Sequence, residues 1–360
     1  MFEDILKFES LLSKKKILIT GNTGFTGCWA HIWLQEIGAE VMGYSLPPET
    51  EPSLYSEINK NSKLNTTYSD IRDYKDLDNV VSNFQPEVIL HLAAQSLVRR
   101  SYSEVYDTML TNVVGTLNIL EIARKVDSVK GVLCVTTDKV YKNINLNEPF
   151  KETDSILGSD PYSSSKAAAE MVIQGYSKLP NSINNKTLSI ASARGGNIIG
   201  GGDWADDRLI PDFIRAVTNN ESLLVRYPDA IRPWQHVLAL VHGYLILMGG
   251  LISLEPKKYV GTWNFGPKIS KEFSVKQILE MMSKEWHKPN FIYAENSLPE
   301  DSFLAIDSSK AIEQLAWNVP WNLEQTVFET ISWYKKFYNS EKSARDLTID
   351  QIKKWRMSLK

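Results

Sequence analysis

The chain has 360 residues, 43% hydrophobic and 23% charged, enough material for a large core with a second, smaller unit beside it. Its net charge of -3 includes no basic run and no apolar segment is long enough to span a bilayer, so we expect neither a nucleic-acid partner nor a membrane. The two cysteines, Cys28 and Cys134, fall in apolar runs as reduced core fillers, and the five histidines lack the spacing of a metal site, so the expectation is a cytoplasmic protein with no disulfide and no metal.

Phe2 to Leu12 reads as a short amphipathic helix packed on a sheet edge. Next, Lys16 to Thr20 is an apolar run ending in Gly21-Asn22-Thr23-Gly24-Phe25-Thr26-Gly27, a strand turning sharply into a helix. Glycine there permits positive φ and close approach to the backbone, and the N–H groups opening the helix face any anion in the turn. Glu40 to Ser45 is a second strand, and its end carries neither a carboxylate for a ribose 2′-hydroxyl nor an arginine for a 2′-phosphate. Thr66 to Ser69 is the third, followed by Asp70-Ile71-Arg72-Asp73, where Asp70 reads either as a helix cap or as a hydrogen-bonding partner for an adenine amine. Glu87 to Ala94 is the fourth, running into small residues where a ligand approaches closely. Ser101 to Lys125 then reads as one long helix, and Gly131 to Thr136 as a fifth strand, apolar on both faces.

Alternation of strand and helix implies right-handed crossovers and a doubly wound parallel sheet, an α/β fold. Asp160-Pro161-Tyr162 opens a helix, and Thr187 to Ala193 alternates as a strand. From residue 195 the glycine-rich loops 195–197 and 200–203 begin a smaller mixed α/β domain. Its helices are Arg208 to Thr218 and Ser274 to Trp286, with short strands at Leu223 to Arg226 and Phe291 to Tyr293. The division expected is therefore 1–194 and 195–360, with 262–266 returning to the first sheet and Thr348 to Gln351 starting a last polar helix as a capping box.

Tyr162 and Lys166 lie four apart, on one face of their helix. A lysine ammonium near a phenol favours the phenolate, as a base for a hydroxyl proton requires. Tyr338 and Lys342 share the spacing, but only the first pair follows the fifth strand, whose end carries Thr136-Thr137-Asp138-Lys139 toward the ligand-binding side of such a sheet.

Gly21-x-x-Gly24-x-x-Gly27 with Tyr162-x-x-x-Lys166 resembles the extended short-chain dehydrogenase/reductase family. Thr137-Asp138-Lys139-Val140-Tyr141, Gly200-Gly201-Gly202-Asp203-Trp204 and Arg232-Pro233-Trp234-Gln235-His236-Val237 resemble its sugar-nucleotide 4,6-dehydratases, in particular the branch acting on CDP-glucose. The resemblance implies a Rossmann domain with a substrate-binding domain, deoxysugar biosynthesis of the kind that serves lipopolysaccharide O-antigen, and a homodimer or higher homo-oligomer. It implies bound NAD against Gly21, Gly24, Phe25, Gly27, Asp70, Ile71, Leu92, Ala93, Ala94, Thr136, Tyr162 and Lys166. Tyr162, helped by Thr137, would take the sugar 4-hydroxyl proton; Asp138 would protonate the leaving 6-hydroxyl; Lys139 would accept the C5 proton. The last two tasks need a protonated aspartate beside an uncharged lysine, one coupled unit. Gln95, Ser96, Asn197, Arg208 and Arg232 would hold the sugar nucleotide. Asn22 and Thr26 stand where the family carries histidine and lysine, and Ala239 where it carries glutamate, the last reading as a surface change. A 4-epimerase would share Thr137, Tyr162 and Lys166 without the elimination pair, and a non-catalytic dinucleotide sensor would use the sheet alone.

Overall fold

The computed structural model describes residues 2–143, 148–179, 187–267, 273–294 and 304–359. The first half runs α1 (Phe2–Leu12), β1 (Lys16–Thr20), α2 (Phe25–Glu36), β2 (Glu40–Ser45), α3 (Leu54–Asn59), β3 (Thr66–Tyr68), α4 (Tyr74–Phe84), β4 (Val88–His91), α5 (Val98–Ser103), α6 (Val105–Met109), α7 (Gly115–Lys125) and β5 (Gly131–Thr137). Then come α8 (Pro161–Ser177), β6 (Ser189–Gly195), β7 (Ile198–Ile199), α9 (Leu209–Asn219), β8 (Ser222–Val225), β9 (Gln235–His236), α10 (Val237–Leu251) and β10 (Gly261–Phe265). The chain ends in α11 (Val275–Glu285), β11 (Asn290–Tyr293), α12 (Ser309–Leu315), α13 (Leu323–Tyr338) and α14 (Ala344–Ser358).

Seven strands form one parallel sheet in the order β10-β6-β5-β4-β1-β2-β3, reversing direction of winding between β1 and β4. Successive side chains of a strand face opposite sides, and here both sides are covered. Ile17, Ile19, Leu90 and Leu133 pack with Trp29 and Trp33 of α2 and with α10, while Leu18, Ile89, Val132 and Cys134 pack with Leu77, Ile119 and Ile173 of α4, α7 and α8. Burying each such aliphatic side chain contributes about 1.5–3 kcal/mol. The doubly wound α/β fold is thus the one the alternation implies.

The helix α10 is buried along its whole length and apolar all round. Such a helix has no polar face for periodicity to reveal, so it belongs to the core between layers. It receives α1, whose Phe8 packs on Gly249 and on the Tyr259 ring at 5.7 Å, so α1 covers a helix and not a sheet edge. With α10 and β10 built onto the large sheet, the chain beyond residue 194 is shared between both parts of the molecule.

Four local expectations are corrected. The run 101–125 breaks at Glu104 and widens into a π turn over Leu110–Val114, because Asn112 turns inward to accept from Gln95 N at 2.9 Å and donate to Ser165 Oγ at 2.8 Å. The cap of α4 is Asp73, accepting from Asp76 N at 3.1 Å, and not Asp70. The last helix is capped by Ser343, with Thr348 inside it bonding back to Ala344 O at 2.8 Å. Ala239 is fully buried in α10 and so is no surface change.

Candidate active site

The C-terminal ends of the parallel strands open into a cleft of about 1290 Å³ between the sheet and the segments around α9, β8 and β9. Every residue assigned above to cofactor, substrate or catalysis lines it.

The glycine loop forms the floor of one end. Gly21 takes φ of 76°, and a Cβ there would lie 2.7 Å from Ala93 N, so only glycine lets the loop rest on the chain leaving β4. A Cβ on Gly27 would meet Gly21 O at 2.3 Å, whereas at Gly24 the same oxygen is 3.4 Å away. Gly24 is also the N-cap of α2 and supplies no side-chain cap, which leaves the first N–H groups of the helix for an anion in the cleft. A diphosphate fits this cradle. Asn22 points away from it, fully buried, donating to Thr66 Oγ1 at 2.8 Å.

After β3, Asp70 accepts from Arg72 N at 2.8 Å and pairs with the Arg72 guanidinium at 2.7 Å, which holds the carboxyl below its ordinary range. Arg72 also pairs with Asp107 at 2.6 Å, and Arg100 pairs with Glu49 at 2.9 Å and Glu104 at 2.7 Å. The Arg72–Asp107 and Arg100–Glu49 pairs join residues 35 and 51 positions apart, which no local pattern reveals. Each arginine at this end is already neutralised by two carboxylates, a poor setting for a 2′-phosphate.

The chemical end is built by β5 and α8. Asp160 and Ser163 form a capping box at the start of α8, with Pro161 in its first turn, and this fixes Tyr162 over the end of β5. Thr137 Oγ1 donates to Asp138 Oδ1 at 3.0 Å, accepts from Lys139 N at 3.3 Å, and also hydrogen-bonds the Tyr162 phenol. Asp138 is buried, its Oδ2 without a partner and close to Gly196, and burial raises its pKa against the opposing pull of Lys139, Thr137 and Arg232. The carboxyl therefore leans toward its protonated form although a lysine adjoins it.

Tyr162 and Lys166 are both buried, and among protein groups alone the phenol is raised where the sequence implied a lowering by the lysine. Burial pushes the phenol up to about 12, the Thr137 hydrogen bond opposing it, while burial pulls Lys166 down to about 8. Lys166 Nζ donates to Val135 O at 3.2 Å, so the ammonium is turned toward β5.

Across the cleft, Arg208 caps no helix group with its side chain; it pairs with Asp203 at 2.9 Å and donates to Ser96 Oγ at 3.2 Å, joining the two walls. Arg232 is buried and donates to Ile231 O at 2.8 Å, and Asn197 lines the wall while its carbonyl accepts from Gln235 N at 3.0 Å. Gln95 is differently placed from what a sugar contact needs: its side chain donates to Thr108 Oγ1 at 2.9 Å and accepts from Leu97 N at 2.6 Å. Sequence reading missed Asp203 and Asn112, whose only signal is polarity within apolar surroundings, and Glu170, which continues the Tyr162/Lys166 spacing by four more residues. Among the described residues no cluster of metal-binding side chains occurs, and no helix is long and apolar enough to cross a membrane.

Known proteins resemble this chain in sequence and in fold. The chain is 39% identical to CDP-glucose 4,6-dehydratase of Salmonella typhimurium over 332 residues, 91% of this chain and 92% of that one. Its fold matches that of dTDP-glucose 4,6-dehydratase from Bacillus anthracis in complex with NAD, with TM-score 0.73 at 23% identity over 90% of this chain and 98% of that one. It also matches UDP-glucose-4-epimerase from Stenotrophomonas maltophila with bound NAD, with TM-score 0.78 at 19% identity over 91% and 99% of the two chains. The family described as GDP-mannose 4,6 dehydratase matches residues 18–330, and with that span covered the chain belongs to this family.

Proposed function

We propose that the protein is an NAD-dependent hydro-lyase that converts CDP-glucose to CDP-4-keto-6-deoxyglucose. The observation that carries the reading is Asp138, a buried carboxyl with raised pKa at the end of β5, held beside Lys139 and bonded through Thr137 to Tyr162. An enzyme that only oxidised or epimerised C4 would need Thr137 and Tyr162 but no buried carboxyl with raised pKa next to them. The choice of CDP-glucose rests on the 39% identity to the Salmonella typhimurium enzyme.

The loop from Gly21 to Gly27 would hold the cofactor diphosphate, with Phe25, Asp70, Ile71 and Leu92 to Ala94 around the adenosine half and Thr136 near the nicotinamide. NAD supplies the hydride acceptor for C4 and the hydride returned to C6. Pairing of Arg72 and Arg100 with carboxylates favours NAD over its 2′-phosphorylated form.

Tyr162 in its phenolate form, favoured by a charged Lys166 nearby, would accept the 4-hydroxyl proton with Thr137 relaying and become the neutral phenol. The 4-ketone acidifies C5, whose proton Lys139 would take. Asp138 gives its own proton to the departing 6-hydroxyl, which leaves as water. Arg208 and Arg232 hold the sugar-nucleotide diphosphate by forked donors, with Asn197 and Ser96 beside them. Gln95 acts by shaping the loop after β4. The segments after residue 194 outside the large sheet serve as the substrate-binding part. Exposed Tyr106 and Met171 on α6 and α8 fit pairing of two copies into a homodimer, and two free buried thiols fit the cytoplasm. The product suits deoxysugar biosynthesis such as that serving lipopolysaccharide O-antigen.

The test is product analysis after mixing protein, NAD and CDP-glucose. A 6-deoxy-4-keto nucleotide sugar is expected, formed with higher kcat/KM than from UDP-glucose or dTDP-glucose. A C4 epimer, or no turnover, overturns the reading.

A further inference from the structure

We propose that Glu170 is a positioning residue for this reaction: its buried carboxylate locks the helix carrying Tyr162 and Lys166 onto the ends of β5 and β6 and is the standing anion that keeps the Lys166 ammonium charged. The inference rests on the role given to Lys166 above.

Tyr162, Lys166 and Glu170 are spaced i, i+4, i+8 on α8 and all three are buried on the face turned to the sheet. Glu170 has no exposed surface, and both of its oxygens are doubly engaged. Oε1 accepts from Thr136 Oγ1 at 2.6 Å and Arg194 Nε at 3.0 Å; Oε2 accepts from Ser192 Oγ at 3.1 Å and Arg194 Nη2 at 3.0 Å. Thr136 directly precedes Thr137, so the carboxylate grips the strand end that carries the candidate acid and base. Arg194 Nη1 in turn donates to Tyr141 OH at 2.8 Å, and that hydroxyl donates to Asn264 Oδ1 of β10 at 2.7 Å. The network thereby ties α8 to three neighbouring strands.

A buried ion pair is weak evidence for stability, because desolvation offsets its attraction and apolar replacements are often neutral or better. Its position relative to Lys166 gives it a second use. Facing Lys166 are the Val135 carbonyl and Cys134 thiol of β5, His91 of β4 and Glu170 of its own helix. Burial keeps the His91 imidazole neutral down to about pH 3 and pushes the Cys134 thiol up, so neither offers a charge near neutral pH. Glu170 is the anion that opposes the burial of Lys166. Arg194 faces Glu170 from β6, and its guanidinium stacks over the Tyr141 ring at 4.8 Å, on the side toward β10.

The test measures Lys166 itself and catalysis side by side. In the ligand-free protein, Glu170→Gln should lower the Lys166 ammonium titration, followed by nitrogen-detected NMR, by about one pH unit. The alkaline limb of kcat should move down equally, cutting the rate at pH 8 about fivefold. A purely structural pair would lower melting temperature and rate at all pH values while leaving both midpoints in place, and that outcome overturns the inference. Should Glu170→Gln not fold, the double variant Glu170→Leu/Arg194→Met removes both charges without orphaning either. It should fold and still show both lowered midpoints; wild-type midpoints in it refute the proposal. If wild-type protein makes no 4-keto-6-deoxy product, the functional reading fails, while the ligand-free titration still decides the role of Glu170.

Discussion

Thr137, Asp138 and Lys139 occupy three successive positions, yet their environments differ, and the division of labour follows from that. Burial raises the Asp138 carboxyl above its ordinary range; Thr137 lies between it and Tyr162; Lys139 stands half-buried at the edge of the same cleft. Tyr162→Phe should reduce turnover by at least about 10²-fold, the usual yield of a general base, with nucleotide-sugar affinity nearly unchanged in a binding titration. Near-normal turnover would remove Tyr162 from the chemistry. Lys139→Met should separate the two stages: single-turnover absorbance should show cofactor reduction without water loss, and deuterium from solvent should not enter C5. Full turnover would move the C5 base elsewhere, and loss of C4 oxidation would place Lys139 in the first stage. At this scale the sequence was most informative, because the spacing of Tyr162 and Lys166 together with their place after the fifth strand, whose end carries the 136–139 run, sets them apart from Tyr338 and Lys342. The Tyr162 pKa was not legible there, since burial and the aim of the Lys166 side chain are tertiary facts.

The elements show where periodicity suffices and where it does not. Strand cores and the amphipathic α11 are legible because one period describes them, and the capping box of α8 is legible because its signals are local. The fully apolar α10 and the π turn over Leu110–Val114 are not, since the first lacks a polar face and the second is set by the buried contacts of Asn112. The glycine-rich sequence of 200–203 reads as a loop opening the second domain and gives no sign of core packing. Gly201 instead lies under Trp333, where a Cβ would fall 2.0 Å from Cγ, and its carbonyl accepts from Trp29 Nε1 at 3.1 Å. Gly201→Ala should therefore cost about 1–3 kcal/mol by overpacking, read as a lower denaturation midpoint at unchanged slope. An unchanged midpoint would mean that the loop yields freely.

Over the whole molecule, four histidines are buried between layers. Burial lowers His31, His91 and His236 to about 3 and His242 to about 4. Their folded pKa values lie below the unfolded one near 6.5, so below that pH the unfolded chain binds more protons and stability drains away as pH falls toward 3–4. By pH 5 each withdraws about 2 kcal/mol. Thermal melts should show a steep fall in melting temperature from pH 7 to 5, reduced by replacing His242 with an apolar residue of similar size. A flat profile across that range would contradict the burial.

The sequence by itself determined the alternation of strand and helix, the glycine turn, the helix carrying Tyr162 and Lys166, and the polar run Thr136 to Lys139 at the end of β5. These are properties of residues near one another along the chain, where periodicity, steric freedom and capping act directly. Tertiary structure alone decided that α10 fills the core, that Asp70 is bound by Arg72, that Gln95 spends its side chain on its own loop, and that burial raises the Asp138 carboxyl above its ordinary range. Each of these depends on which distant groups exclude water or offer a partner, and only the closed fold specifies that.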